Sequence, residues 1–106
     1  MIRYGDETWW ELTFSAFYPR VEKRDNQWID VELRVETAAA APLPDDLIDF
    51  SILAICTHSG YPVQLVPMDE GCDCEYQLTQ GEKDQVEAYL LSEPLQQLIR
   101  EATENT

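Results

Sequence analysis

The stretch FSILAICTHSGYPVQLVPMDEGCDCEYQLT, residues 50–79, decides the fold. Two readings compete for its first part. Pro44-Asp45-Asp46 has the composition of a helix start and Gly60 that of a stop, which would make a helix through Cys56. Alternatively, Phe50 to His58 is a strand that turns at Ser59-Gly60 into Tyr61 to Asp69, then at Glu70-Gly71 into Cys72 to Thr79. Register separates the two. With tight turns at both glycines, Phe50, Ile52, Ala54, Cys56, Tyr61, Val63, Leu65, Cys72, Cys74, Tyr76 and Leu78 share one face. The other face takes Ser51, Thr57, Gln64, Asp73, Glu75, Gln77 and Thr79, with Leu53, Ile55, Val66 and Met68 as apolar exceptions. Such one-sided alternation marks antiparallel strands buried on one face, so the meander 50–58/61–69/72–79 is favoured over the helix.

Upstream, Trp10, Leu12, Phe14, Ala16 and Tyr18 alternate with polar residues, and so do Ile29, Val31, Leu33 and Val35. A period of two predicts strands, here a hairpin 8–18/28–37 with Pro19 to Gln27 as its loop. Placing Trp10 opposite Val35 sets Leu12 against Leu33, Phe14 against Val31 and Ala16 against Ile29. The outer face then pairs Glu11 with Arg34 and Phe17 with Trp28. The alanine- and proline-rich run 37–44 reads as an extended crossing. Downstream, Thr79 and Glu82 have capping-box spacing, and Val86, Tyr89, Leu90, Leu95, Leu98, Ile99 and Ala102 recur at helical spacing. This predicts a C-terminal helix 80–103 broken near Pro94 and laid across the sheet. The expected fold is α+β, with about five antiparallel strands in a single acidic globular domain spanning 1–106.

Composition narrows the function classes. The net charge is −14, which disfavours direct contact with nucleic acid or anionic membrane and favours a basic protein partner, met by electrostatic steering. Solubility alone is the plainer account of such a charge. The acidity is polarised: residues 1–40 hold five Arg/Lys against eight Asp/Glu, whereas residues 41–106 hold two against thirteen. No apolar run approaches the ~18 residues of a membrane-spanning helix, and charges come too early after Met1 for a signal peptide. Three cysteines, an odd count, suit a reducing compartment, so a cytoplasmic location is expected.

Chemical constellations are few. Cys56, His58, Cys72 and Cys74 form the one candidate zinc set. The meander register puts the first two at the Gly60 end and the last two at the Gly71 end, on the order of 20 Å apart, which favours core thiols. Cys72 and Cys74 are one residue too close for a thioredoxin-type pair. Asp69, Glu70, Asp73 and Glu75 crowd one turn without the spacing of a calcium loop. A single histidine and four glycines leave no triad and no phosphate-cradling loop. Neither enzymatic activity nor a cofactor is expected.

What remains is interaction. Trp9, Phe17 and Trp28 fall together on the outer face of the expected hairpin, as aromatic anchors. Asp30, Glu32 and Glu36 form a row beside them, while Asp69, Glu70, Asp73, Glu75, Glu82 and Glu87 supply the acidic turn and helix face. These are the candidate partner-binding residues. The expected function is a small acidic interaction or inhibitor protein for a basic partner. One form of this is nucleic-acid mimicry, with carboxylates standing where phosphates would. In composition alone the chain is similar to the acidic inhibitors of phages and mobile elements and to immunity proteins. The alternative is a structural protein that forms a homodimer or larger oligomer through the aromatic face or a sheet edge.

Overall fold

The computed structural model describes residues 1–3, 5, 9–39 and 42–104. It is an α+β fold with a five-stranded antiparallel sheet, a two-stranded sheet and two C-terminal helices. The strands are β1 (Ile2–Arg3), β2 (Phe14–Lys23), β3 (Trp28–Thr37), β4 (Phe50–Thr57), β5 (Pro62–Asp69), β6 (Cys72–Asp73) and β7 (Tyr76–Gln77). The helices are α1 (Gln80–Leu90) and α2 (Glu93–Glu104). The large sheet runs β2-β3-β4-β5-β6, and β1 pairs with β7.

The meander reading holds for residues 50–73, which excludes the helix through Cys56. Phe50 to Ile55 pair with Asp69 to Gln64 in unbroken register, and a bulge then sets Cys56 opposite Pro62. That bulge rotates the start of β5, so Tyr61 and Val63 are exposed rather than inward. At the far end, Glu70 and Gly71 both have positive φ, at 52° and 80°, the signature of a two-residue type I′ hairpin turn. The third strand is shorter than expected. It leaves the sheet after Asp73, and Tyr76–Gln77 pair with Ile2–Arg3 instead.

The N-terminal hairpin exists, but in another register. Phe17 pairs with Val35, Pro19 with Leu33, Val21 with Val31 and Lys23 with Ile29. The expected pairing of Trp10 with Val35 is therefore displaced by seven residues, from Trp10 to Phe17. Two period-two frames overlap in this segment and are out of phase: Trp10-Leu12-Phe14, then Phe17-Pro19-Val21. A bulge between Phe14 and Ala16 joins them, inserting the extra residue that shifts the alternation. Residues 10–13 are not part of β2, because their main chain is satisfied elsewhere. The Leu12 amide donates to Glu82 Oε2 at 2.7 Å. The Phe14 amide donates to Gln85 Oε1 at 2.9 Å, while Gln85 Nε2 donates to Leu12 O at 2.9 Å. Thr8, the expected start of the strand, lies outside the described residues, as do Ala40 and Ala41 of the crossing. The loop shrinks to Arg24–Gln27, where Asp25 Oδ1 accepts the amides of Gln27 and Trp28 at 2.8 Å each.

The inner face of the sheet carries Ile29, Val31, Leu33, Phe50, Ile52, Ala54 and Cys56, all buried, against Val86, Leu90, Leu95 and Ile99 of the helices. Burying these side chains supplies the main stabilisation, at roughly 1.5–3 kcal/mol for each large one. The capping box is present: Thr79 Oγ1 accepts the Glu82 amide at 3.1 Å, and Glu82 Oε1 accepts the Thr79 amide at 2.8 Å. The helical run breaks at Leu91–Ser92, and Pro94 sits in the first turn of α2, where a missing N–H costs nothing. Leu98 faces outward.

Candidate functional site

The expected aromatic cluster does not assemble. With the register moved, Phe17 turns inward and stacks on Tyr89, ring centroids 4.6 Å apart. Trp28 stays on the outer face at the head of β3, half-buried and opposite Thr57. Trp9 is 62% exposed and lies outside the large sheet, bridged to Ile2. Because Ile2 also pairs with Gln77, β1 lies between Trp9 and β7, which sets Trp9 two strand spacings, ~10 Å, from β7.

The carboxylate row on the outer face is real, but two of its three members, Asp30 and Glu32, are matched by cations. Arg24 contacts Asp30 at 2.8 Å, Arg20 contacts Glu22 at 2.7 Å, and Arg34 bridges Glu32 at 3.4 Å and Asp49. Glu36 accepts the Tyr18 hydroxyl at 2.7 Å. Half-buried Leu53, Ile55, Val66 and Met68 form an apolar stripe beside this row.

Glu82 is not on the surface at all. It is fully buried, its Oε2 receiving the Met1 α-ammonium and the Leu12 amide while its Oε1 caps the helix. A surface pattern and a buried capping residue look alike in sequence, and only the long-range partners Met1 and Leu12 tell them apart. Glu87 is exposed on α1.

The acidic turn does converge. Asp69, Asp73 and Glu75 are joined by Asp46 around a cleft of about 240 Å³, completed by Leu47, Cys74 and Tyr76. One cation, Arg3, stands among these groups, 3.8 Å from Asp46 and 3.4 Å from Glu75, with its guanidinium 5.8 Å from the Tyr76 ring centroid. Tyr76 donates its hydroxyl to Asp46 at 2.8 Å. Asp69 Oδ1 receives the amides of Ile48 and Asp49 at 3.0 and 2.7 Å, which pins the segment carrying Asp46 over the turn. Glu70 occupies the turn itself. Asp46 and Arg3 carry no local signal for this role, because each reaches the cleft only through tertiary pairing.

Cys56 lies at the opposite end of the meander from Cys72 and Cys74, as the register requires, but only Cys56 is the core thiol expected, because the third strand leaves the sheet after Asp73 and Cys72 is exposed. Cys56 is buried opposite Pro62 at one end of β5, while Cys74 donates its amide to Pro67 O and Cys72 is exposed opposite Asp69. His58 Nε2 lies 2.8 Å from Asp25 O. Burial pushes the Cys56 thiol up to about 11, with nearby Asp30 adding to it, and burial also raises Cys74. Among the described residues, no group of three or more His, Cys, Asp and Glu is arranged to hold a metal ion. No helix among them is long and apolar enough to cross a membrane.

A second depression, about 270 Å³, lies between β5 and α1, lined by Pro62, Val63, Gln64, Leu65, Lys83 and Glu87. Comparison with protein-family models finds no match, and neither do comparisons with curated proteins and with solved structures.

Proposed function

We propose that this chain is a small acidic interaction protein that binds a basic protein partner, as an inhibitor or accessory factor rather than an enzyme. One observation carries the reading: Asp46, Asp69, Asp73 and Glu75 line one cleft, and among the described residues the one cation paired with any of them is Arg3, which contacts Asp46 and Glu75. Carboxylates held together without matching cations repel one another. An arriving lysine or arginine relieves that repulsion while gaining charge-assisted hydrogen bonds. A shallow acidic concavity suits a side chain of a protein better than a buried small molecule. A reducing, cytoplasmic setting fits the free thiols. Nucleic-acid mimicry draws less support, since in the row it needs, Asp30, Glu32 and Glu36, the first two have Arg24 and Arg34 in contact with them.

The test is a titration with an arginine-rich peptide followed by amide chemical shifts at low and raised salt. The expected result is a saturable shift centred on Asp46, Asp69, Asp73 and Glu75 that collapses with salt. It should be lost in Asp73→Lys/Glu75→Lys and kept in Glu32→Lys/Glu36→Lys. Equal loss from both double variants would mean nonspecific attraction to the net charge and would sink the reading.

A further inference from the structure

The large sheet ends in two edges, and they are built differently. The β2 edge carries Pro19 in its middle with Arg20, Glu22 and Lys23 beyond it, the devices that keep an edge from pairing. The β5 edge also carries prolines, Pro62 and Pro67, but between them it has no such charge: from Tyr61 to Met68 the chain contains no ionisable acid or base other than the Tyr61 phenol. Strand β6 covers only Met68 and Asp69, and the Cys74 amide reaches Pro67 O at 3.3 Å. Main-chain groups two residues apart point to the same side of a strand. The N–H and C=O of Leu65 therefore face outward, past the point where β6 stops. Among the described residues no strand pairs with them. Beneath this opening lies the groove walled by Lys83 and Glu87 of α1, and Val63 beside it is 49% exposed. An open edge with a helix standing across a groove is the arrangement that accepts an added strand.

We infer that an extended segment of the basic partner adds to β5 as a further strand, with an apolar side chain in the β5–α1 groove. This rests on the proposed function and supplies its mode of binding. Charge selects the occupant. A second copy would set −14 against −14 at an edge whose far end adjoins the acidic cleft. Lys83 and Glu87 stand one helical turn apart with opposite signs, so the groove is near neutral and the cleft sets the preference. Asp69 lies four residues beyond Leu65 on β5, ~14 Å in an extended chain. Because Cys74 and β6 occupy the edge from Pro67 onward, a segment seated opposite Leu65 ends where they begin, and a long lysine or arginine side chain at that end extends toward Asp73 and Glu75.

The experiment uses the full chain with two synthetic peptides of alternating lysine and valine. One is unmodified, and the other is N-methylated at alternate peptide bonds so that it cannot complete a ladder. Affinity and amide hydrogen exchange are read together. Expected are protection of the Leu65 amide by the unmodified peptide and about tenfold weaker binding of the methylated one, the loss of one or two net hydrogen bonds. Val63→Lys, a change at an exposed site, should weaken the unmodified peptide as well. Equal affinity for both peptides, with shifts confined to the cleft, overturns strand addition but leaves the basic-partner reading standing. No binding of either peptide at low salt removes both. Protection of Leu65 that rises with protein concentration in the free chain assigns the edge to a second copy and overturns the inference.

Discussion

The outer face of the β2–β3 hairpin and the cleft at the Glu70 turn are both acidic, yet they differ in kind. On the hairpin, Asp30, Glu22 and Glu32 each touch an arginine. In the cleft, Arg3 contacts Asp46 and Glu75, while Asp69 and Asp73 have no cation paired with them among the described residues. Net charge therefore says little about where a partner would be drawn. The local ratio of carboxylates to cations does, because an ion pair presents a dipole to solvent whereas an unmatched group of carboxylates presents a field.

Glu82 separates charge that supports the fold from charge that faces solvent, and removing it should produce the largest effect. Glu82→Ala takes away the carboxylate to which the Met1 ammonium and the Leu12 and Thr79 amides donate, leaving Met1 only Trp10 O as an acceptor. Breaking a buried pair from one side costs about 3–5 kcal/mol, a large share of the ~5–15 kcal/mol typical of a domain. Urea denaturation should show that loss. Glu82→Gln, which keeps an acceptor oxygen, should lose less. If Glu82→Ala costs no more than an ordinary surface substitution, the N-terminal strand is not held in this way.

Neutralising one carboxylate in each region tests the comparison itself. Asp30→Asn removes the partner of Arg24, an ion pair at 2.8 Å whose carboxylate is 27% exposed, and should destabilise by about 1 kcal/mol. Asp73→Asn relieves repulsion in the cleft and should raise the urea midpoint slightly at low ionic strength, the gain fading as salt is added. Opposite signs are the expected outcome. A loss in both would mean the cleft carboxylates are as well paired as those of the hairpin.

The sequence reading reached the class of fold, the β4–β5 pairing up to its bulge, the capping box and the acidic turn, because each of these is encoded within a few residues of itself. What it missed depended on distant partners. Residues 10–23 carry two alternating frames, and the choice between them is made by Glu82 and Gln85, which take the main-chain bonds of Leu12 and Phe14. The aromatic face was lost with that choice, since a one-residue change of phase turns Phe17 to the core. Asp46 joined the cleft only because Asp69 caps the segment that carries it.

The two ends of β5 also differ in their thiols. Cys56 is buried at one end and raised to about 11, whereas Cys72 is exposed at the other. A thiol that holds its proton more tightly when folded contributes stability that is intact below its ordinary value of 9. That contribution declines as the pH rises from there toward about 11, because the unfolded chain ionises first. Cys56→Ala should remove this part of the alkaline decline, measured by urea midpoints across that range. A thiol-specific reagent should modify Cys72 readily and leave Cys56 protected until the chain unfolds.

The smallest effect tests the Glu70 turn that holds the cleft together. Glu70 is a non-glycine residue at φ 52°, and the left-handed region costs such a residue roughly 1 kcal/mol. Asparagine tolerates that conformation better and is common at the first position of a type I′ turn. Glu70→Asn should therefore stabilise by a few tenths of a kcal/mol, less than the full strain because glutamate is only partly penalised there. It also removes one negative charge beside the cleft without touching Asp69, Asp73 or Glu75, so affinity for a basic peptide should fall by less than in Asp73→Asn. If Glu70→Asn lowers that affinity as much as Asp73→Asn does, the attraction belongs to the turn as a whole and not to the cleft.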